Sequence, residues 1–210
     1  MAYTARVHEE ATAGVLKLSR SWEVEVRGGA AERIGHFLEL LLKWNEHVNL
    51  TGAGTLAELL GEHVPDSFAL SRLCGPGERV VDVGAGGGLP GIPLALLRPD
   101  CHVTLVEPRA KRVAFLNAAT REAGLAAATV LRARVEELEG SLFSVAASRA
   151  TFPAGQWLSR ARRVLCPGGR AVVFGSIPTD VAPPGARLVD EVVYATRGGA
   201  PRWAASFRFT

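Results

Sequence analysis

Asp82 heads a run of five glycines and two prolines in DVGAGGGLPGIP (82–93), and Glu107 follows 25 positions later at the end of CHVTLVE (101–107). A glycine-rich turn after a strand lets the backbone come close to a ligand. Gly86-x-Gly88-x-x-Gly91 has the formal spacing of a dinucleotide fingerprint, in which free N–H groups at a helix start meet a pyrophosphate. Pro90 and Pro93 remove donors near the expected helix start, however, and a carboxylate at Asp82 repels a pyrophosphate. The arrangement suits a cation. S-Adenosylmethionine carries a sulfonium and an ammonium group and has no phosphate, and Glu107 is placed to accept both ribose hydroxyls of an adenosine. From these residues alone, a nicotinamide enzyme and a tight structural turn with an exposed acid stay open.

The elements that must position the two carboxylates change character along the chain. Residues 1–75 read as helical: Leu38, Leu41, Leu42 and Val48 form an i, i+3, i+4 stripe, and TLAELLGEHV starts at an N-cap Thr55 with Glu58 in the capping-box position. From residue 78 strands and helices alternate. RVVDV, CHVTLVE, ATVLRA, SVAASRA and RAVVFG read as strands, separated by helical GIPLALLR, AKRVAFLNAATREAG and AGQWLSRARRVL, the last stopped by CPGG. ARLVDEVVYA and RWAASFRF flank the turn-like RGGAP as a late antiparallel edge. This predicts an α/β fold: a Rossmann-like, doubly wound, mostly parallel sheet over 76–210, with residues 1–75 as a helical extension packed on it. Ligands are then expected at the carboxyl ends of the strands.

Of the 210 residues 48% are apolar and 21% charged, ordinary for a globular chain with a sizeable core, and no apolar stretch is long enough for a membrane span. The first residues lack a signal-peptide apolar region, and Cys74, Cys101 and Cys166 form no C-x-x-C pair. A cytoplasmic location and no metal site are expected. Residues 1–75 carry a net charge of −3 and residues 76–210 a net +6, and arginine supplies 21 of the 24 basic residues. Such a chain suits an anionic partner, although a GC-rich genome also enriches arginine.

Asp82-x-Gly84-x-Gly86-x-Gly88 with Glu107 is similar to the pattern of class I methyltransferases. WNEHVNLTG (44–52), HVPDS (63–67), DVGAGGGLPGIPLALLRP (82–99), KRVAFL (111–116), RVEEL (134–138) and SRA (148–150) resemble, in order and spacing, the small-subunit ribosomal RNA guanine-N7 methyltransferase family RsmG, also called GidB. The resemblance covers roughly 36–175 and implies S-adenosylmethionine as cofactor, 16S rRNA or the 30S subunit as partner, and 7-methylguanosine in the 530 loop as product. It implies no DNA or membrane partner, and a monomer is expected. Carried over by position, Asp82, Gly84, Gly86 and Leu89 of the loop would hold the cofactor, Glu107 its ribose, and Val135 and Glu136 its adenine. Arg149 of SRA would lie near the methyl-donor pocket as an orienting, catalytic residue. A charge at the end of an apolar strand must in any case find a partner or water.

The RNA side of the resemblance points to Asn49, His63, Asp66, Lys111 and Arg112. Each has a plainer reading: Asn49 and Thr51 as helix caps, His63, Asp66 and Ser67 as a helix-end hydrogen-bond network, Val135 as core, Glu136 as an exposed helix-start acid, and Lys111 and Arg112 as a solvated face. The chain departs from the family where Phe174-Gly175-Ser176 replaces a common Lys-Gly and where Pro65 should break or kink the helix near His63. A methyltransferase with another acceptor and a cofactor-binding, ribosome-associated protein without catalysis are the competing readings.

Overall fold

The computed structural model describes residues 2–138, 140, 142–175, 185–199 and 201–210, with side chains from residue 7 onward. Helices α1 (Ala2–Trp22), α2 (Ala30–Val48), α3 (Leu56–Glu58) and α4 (Val64–Leu73) precede the first strand. The strands are β1 (Arg79–Val83), β2 (His102–Val106), β3 (Thr129–Leu131), β4 (Phe143–Ser148), β5 (Leu165–Gly175), β6 (Ala186–Ala195) and β7 (Pro201–Phe209). Between them lie α5 (Gly91–Leu97), α6 (Ala110–Glu122) and α7 (Ala154–Ala161). The sheet order is β3-β2-β1-β4-β5-β7-β6, with β1 to β5 parallel and β7 antiparallel to both its neighbours.

Alternation along the strands assigns each face its cover. Val80, Val103, Leu105, Val145, Ala147 and Val172 join the cluster built with α1, α2, α4, α5 and α6. Their neighbours Val81, Val106, Ala146, Ala171 and Val173 point the other way, onto Trp157, Leu158 and Ala161 of α7. Helices α1, α2 and α4 therefore share one core with the sheet. The order reverses between β1 and β4, and a crevice at their carboxyl ends is the expected ligand position in such a sheet.

Three local expectations meet their outcome here. Thr55 and Glu58 form the expected capping box, the Glu58 N–H donating to Thr55 Oγ1 at 3.2 Å and the Thr55 N–H to Glu58 Oε2 at 3.0 Å. The break at Pro65 is a π-helical turn over Leu59–His63, closed by the Val64 N–H donating to the Leu59 carbonyl. Helix α4 then starts with Pro65 in its first turn, where a missing N–H is tolerated. CPGG does not end α7, which stops at Ala161; it belongs to β5, bulging from the ladder where the register shifts between Phe143 and Val145. Phe174 and Gly175 end β5, and Ser176 lies outside the described residues. No described helix is long and apolar enough to cross a membrane.

Candidate active site

The glycine loop leaves β1 with several of its donors already committed. The Gly84 and Ala85 N–H groups donate to the Val106 carbonyl at 2.8 and 3.1 Å, and the Gly88 N–H to the Ala85 carbonyl at 2.7 Å. At the start of α5, Pro90 and Pro93 have no N–H, the Gly91 N–H donates to Asp82 Oδ2 at 3.0 Å, and the Ile92 N–H to the Gly88 carbonyl at 2.7 Å. Helix α5 thus offers no free N–H in its first positions to a phosphate, which removes the dinucleotide reading on geometry. Gly84 has φ +76°, and a Cβ there would stand 2.8 Å from Thr151 Cγ2 and closer to its Oγ1. A Cβ on Gly91 would stand 2.7 Å from Asp82 Oδ2 and collide with Leu105.

The two carboxylates lie behind this loop. Asp82 is buried and does not line the cavity above the loop; its oxygen holds the start of α5. Burial pushes its carboxyl up to about 7, against the pull of the Gly91 N–H and the Arg149 charge, with Glu107 adding to the rise. Asp82, expected to hold the cofactor, instead lies under the loop and braces the start of α5. Glu107 is also buried, accepting the Gly86 N–H on Oε2 at 3.1 Å and the Arg109 N–H on Oε1 at 2.9 Å. An ionised carboxylate has about four lone-pair positions, so acceptor capacity remains for a hydroxyl.

Above the loop is a cavity of about 170 Å³, walled by Gly84 to Gly87 and Leu89 on one side and by Leu50, Thr51, Arg112, Arg149 and Thr151 on the others. Arg149 extends from the end of β4, just before Ala150, whose φ of +55° is left-handed and strained for a residue with a side chain. Its Nη1 donates to His63 Nδ1 at 2.6 Å and to Asp66 Oδ2 at 3.0 Å. Arg149, a separate candidate from the sequence, joins the expected His63 and Asp66 group in one cluster. Asp66 also accepts the Tyr194 hydroxyl at 2.5 Å and Arg202 Nη1 at 3.2 Å. Its carboxylate is 1% exposed and fully partnered, so the expected RNA contact at Asp66 is corrected to an internal anchor. Burial first, and then the Arg149 charge, lower His63 to about 4, with Asp66 partly opposing. His63 is therefore neutral at neutral pH, with Nδ1 as acceptor and the proton on Nε2.

The remaining candidates divide between the cavity and elsewhere. Arg112 is no solvated-face residue: its Nη2 donates to the Asn49 carbonyl at 3.0 Å, and its Nη1 lies 3.8 Å from Glu107 Oε2. Asn49 caps α2 in the left-handed region at φ +50°, with an exposed side chain. Lys111 is exposed and shares with Asn49, Arg109 and Arg112 an open depression of about 330 Å³ beside the cavity. Val135 is core, packed with α7, and the exposed Glu136 accepts Arg160 Nε at 2.9 Å; neither lines the cavity. A larger cavity of about 440 Å³, lined by Arg72, Glu78, Arg170 and Asp190 among others, lies at the opposite, amino end of β1 and β5.

Asn45, Tyr194, Arg202 and Thr151 are the site residues that sequence reasoning missed. Asn45 Oδ1 accepts the Leu50 and Thr51 N–H groups at 2.7 and 3.0 Å, and its Nδ2 donates to the Ala53 carbonyl at 3.1 Å. That folds residues 50–53 back over the glycine loop. An amide in the last turn of a helix, before a left-handed Asn, was the available signal.

The geometry agrees with comparisons to known proteins. Residues 30–176 match the family model GidB, described as rRNA small subunit methyltransferase G. The chain belongs to this family. Relatives named ribosomal RNA small subunit methyltransferase G from Halorhodospira halophila and Myxococcus xanthus are each 37% identical to it. The first match covers 70% of both chains, the second 84% of this chain and 82% of the other. Solved structures share the fold: TrmN from Thermus thermophilus has a TM-score of 0.55 at 21% identity, covering 72% of this chain and 53% of that one. A SAM dependent methyltransferase from Aquifex aeolicus has a TM-score of 0.55 at 16% identity, covering 73% and 93%.

As a member of the GidB family the chain is a methyltransferase, and its methyl donor is S-adenosylmethionine. The residues present fit that donor. The cavity has no phosphate-ready helix start, the buried Asp82 carboxyl lies under its floor, Glu107 keeps acceptor capacity behind Gly86 without lining the cavity, and Arg149 faces it as a partner for a carboxylate.

Proposed function

We propose that this methyltransferase modifies N7 of a guanine in the 530 loop of the small-subunit (16S) ribosomal RNA. The observation that carries the reading is the cluster at the cavity wall: Arg149 is fixed by Asp66 and His63, and His63 is held neutral. Bound S-adenosylmethionine supplies a methyl group on a sulfonium. Guanine N7 has a free lone pair and no proton, so its methylation asks for no general base, and this site offers none in the right state. Asp82 is buried under the loop, Glu107 is held by two backbone N–H groups, and His63 accepts from Arg149.

What the chain contributes is then position and exclusion of water. Leu50, Thr51 and Leu89 close the cavity around the loop, and Arg149, anchored through Asp66 to Tyr194 of β6 and Arg202 of β7, orients a carboxylate or the base edge. The exposed Lys111, Arg109 and Asn49 beside the cavity suit RNA phosphates, as expected for an exposed base in a folded or single-stranded loop. Wild-type protein incubated with labelled donor and undermethylated 30S subunits should yield labelled 7-methylguanosine after nuclease digestion. Binding to 30S particles without methyl incorporation would favour the non-catalytic reading, and methylation of small aromatic acceptors but no RNA would favour another acceptor.

A further inference from the structure

A second set of groups able to bind a ligand lies away from this site, in the seam between α1 and α2. His8 of α1 and His36 and Glu39 of α2 offer ligand atoms that all lie within 4.8 Å of one another. His36 and Glu39 are three apart and so share one helix face, onto which α1 brings His8; the two imidazole rings stand edge to face at 6.2 Å. His8 Nδ1 is buried and has no hydrogen-bond partner, an arrangement that a buried lone pair normally avoids. Thr12 Oγ1 and Arg33 Nε, in the same two helices, are unpartnered as well, so three of the five such atoms among the described residues fall here. His36 Nε2 lies 3.3 Å from Glu122 Oε2 of α6. Donation from Nε2 to that carboxylate leaves Nδ1 as the ring's lone pair, and a carboxylate behind an imidazole is the usual way a metal-binding histidine is oriented.

We infer that His8, His36 and Glu39 bind one divalent transition-metal ion of the zinc class, with Glu122 orienting His36, and that the ion fastens α1 onto α2. Two imidazoles and one carboxylate suit zinc, cobalt or nickel, whereas magnesium and calcium take oxygen ligands. The absence of paired cysteines speaks only to thiolate sites. Ligand atoms in a tetrahedral site with bonds near 2.0–2.1 Å stand about 3.4 Å apart, so a shift of roughly 1 Å closes the set. His8 lies outside the family match at 30–176, and the site would tie a segment beyond that match to the shared core.

The test uses the full-length, tag-free, metal-free protein, titrated with zinc chloride by calorimetry and with cobalt(II) by visible absorption. We expect one ion per chain, cobalt bands of a four- or five-coordinate nitrogen and oxygen site, and a Tm rise of roughly 5–10 °C at a hundredfold excess over Kd. Magnesium should give no rise. His8→Phe and Glu39→Gln should each weaken zinc binding by at least about 100-fold while the metal-free far-UV spectrum stays unchanged. The absence of zinc binding and cobalt bands in the wild type would overturn the proposal without reference to any variant. So would zinc binding of equal affinity in both variants, which would place the ion elsewhere on the chain.

Discussion

Asp82 binds its proton more tightly in the folded chain than in the unfolded one, because burial outweighs the Gly91 N–H that its carboxylate accepts. A raised carboxyl is a stability cost that is absent below about pH 4, grows as pH rises, and is complete above about 7. Asp82→Asn keeps an oxygen for the Gly91 N–H and removes the charge. Urea unfolding should show its stability gain over wild type to be about 1–3 kcal/mol larger at pH 8 than at pH 5. The same variant should bind the methyl donor less tightly, since the negative charge under the loop is gone. A gain independent of pH would show that Asp82 does not titrate in this range. Arg149→Ala is the complementary case. Asp66 keeps Tyr194 and Arg202, so Tm should fall by only a few degrees while kcat for methyl transfer drops about 100-fold. Arg149 and the acid pair were legible in the sequence because a charge at a strand end demands a partner. The partners themselves were not, since Arg149 and Tyr194 are 83 and 128 positions from Asp66 and no short-range pattern connects them.

Two elements hold the cavity's shape, and each has its own sensitive position. Helix α5 packs so closely on β1 and β2 that Gly91 has no room for a methyl group; Gly91→Ala should cost about 1–3 kcal/mol in denaturant unfolding and raise KM for the donor. An unchanged unfolding midpoint would mean that Leu105 and Asp82 yield to the new Cβ. The return of residues 50–53 over the loop depends on Asn45. Asn45→Ala leaves the Leu50 and Thr51 N–H groups without their acceptor, and should cost about 2 kcal/mol. The glycine loop was readable because positive φ and close packing restrict a position to glycine. Asn45 was quoted within a helical run, and its function depends on the turn after that run, whose path the residue types alone do not specify. The π-helical turn before Pro65 is a similar case: a proline announces a break, but which irregular hydrogen bond absorbs it depends on the packing of Leu59 and Val64, both buried.

Across the whole molecule, strand and helix alternation was enough to anticipate a doubly wound sheet with a late antiparallel edge, because the central strands β1, β2, β4 and β5 send buried apolar side chains to both faces. The crevice between β1 and β4 follows from that topology. Charge follows it too, with Arg109 and Lys111 exposed beside the cavity. If they contact phosphate, Arg109→Ala and Lys111→Ala should each lower the slope of log K against log salt for small-subunit RNA by about 0.7–0.9. An unchanged slope would place the RNA path elsewhere. The most direct test of the central claim is to map the methyl group. Undermethylated 30S subunits treated with the protein and S-adenosylmethionine, then with borohydride and aniline to cleave at 7-methylguanosine, should show one new primer-extension stop within the 530 loop. The stop should appear about 100-fold more slowly with Arg149→Ala. A stop outside that loop, or methyl label in the RNA with no 7-methylguanosine, would contradict the account.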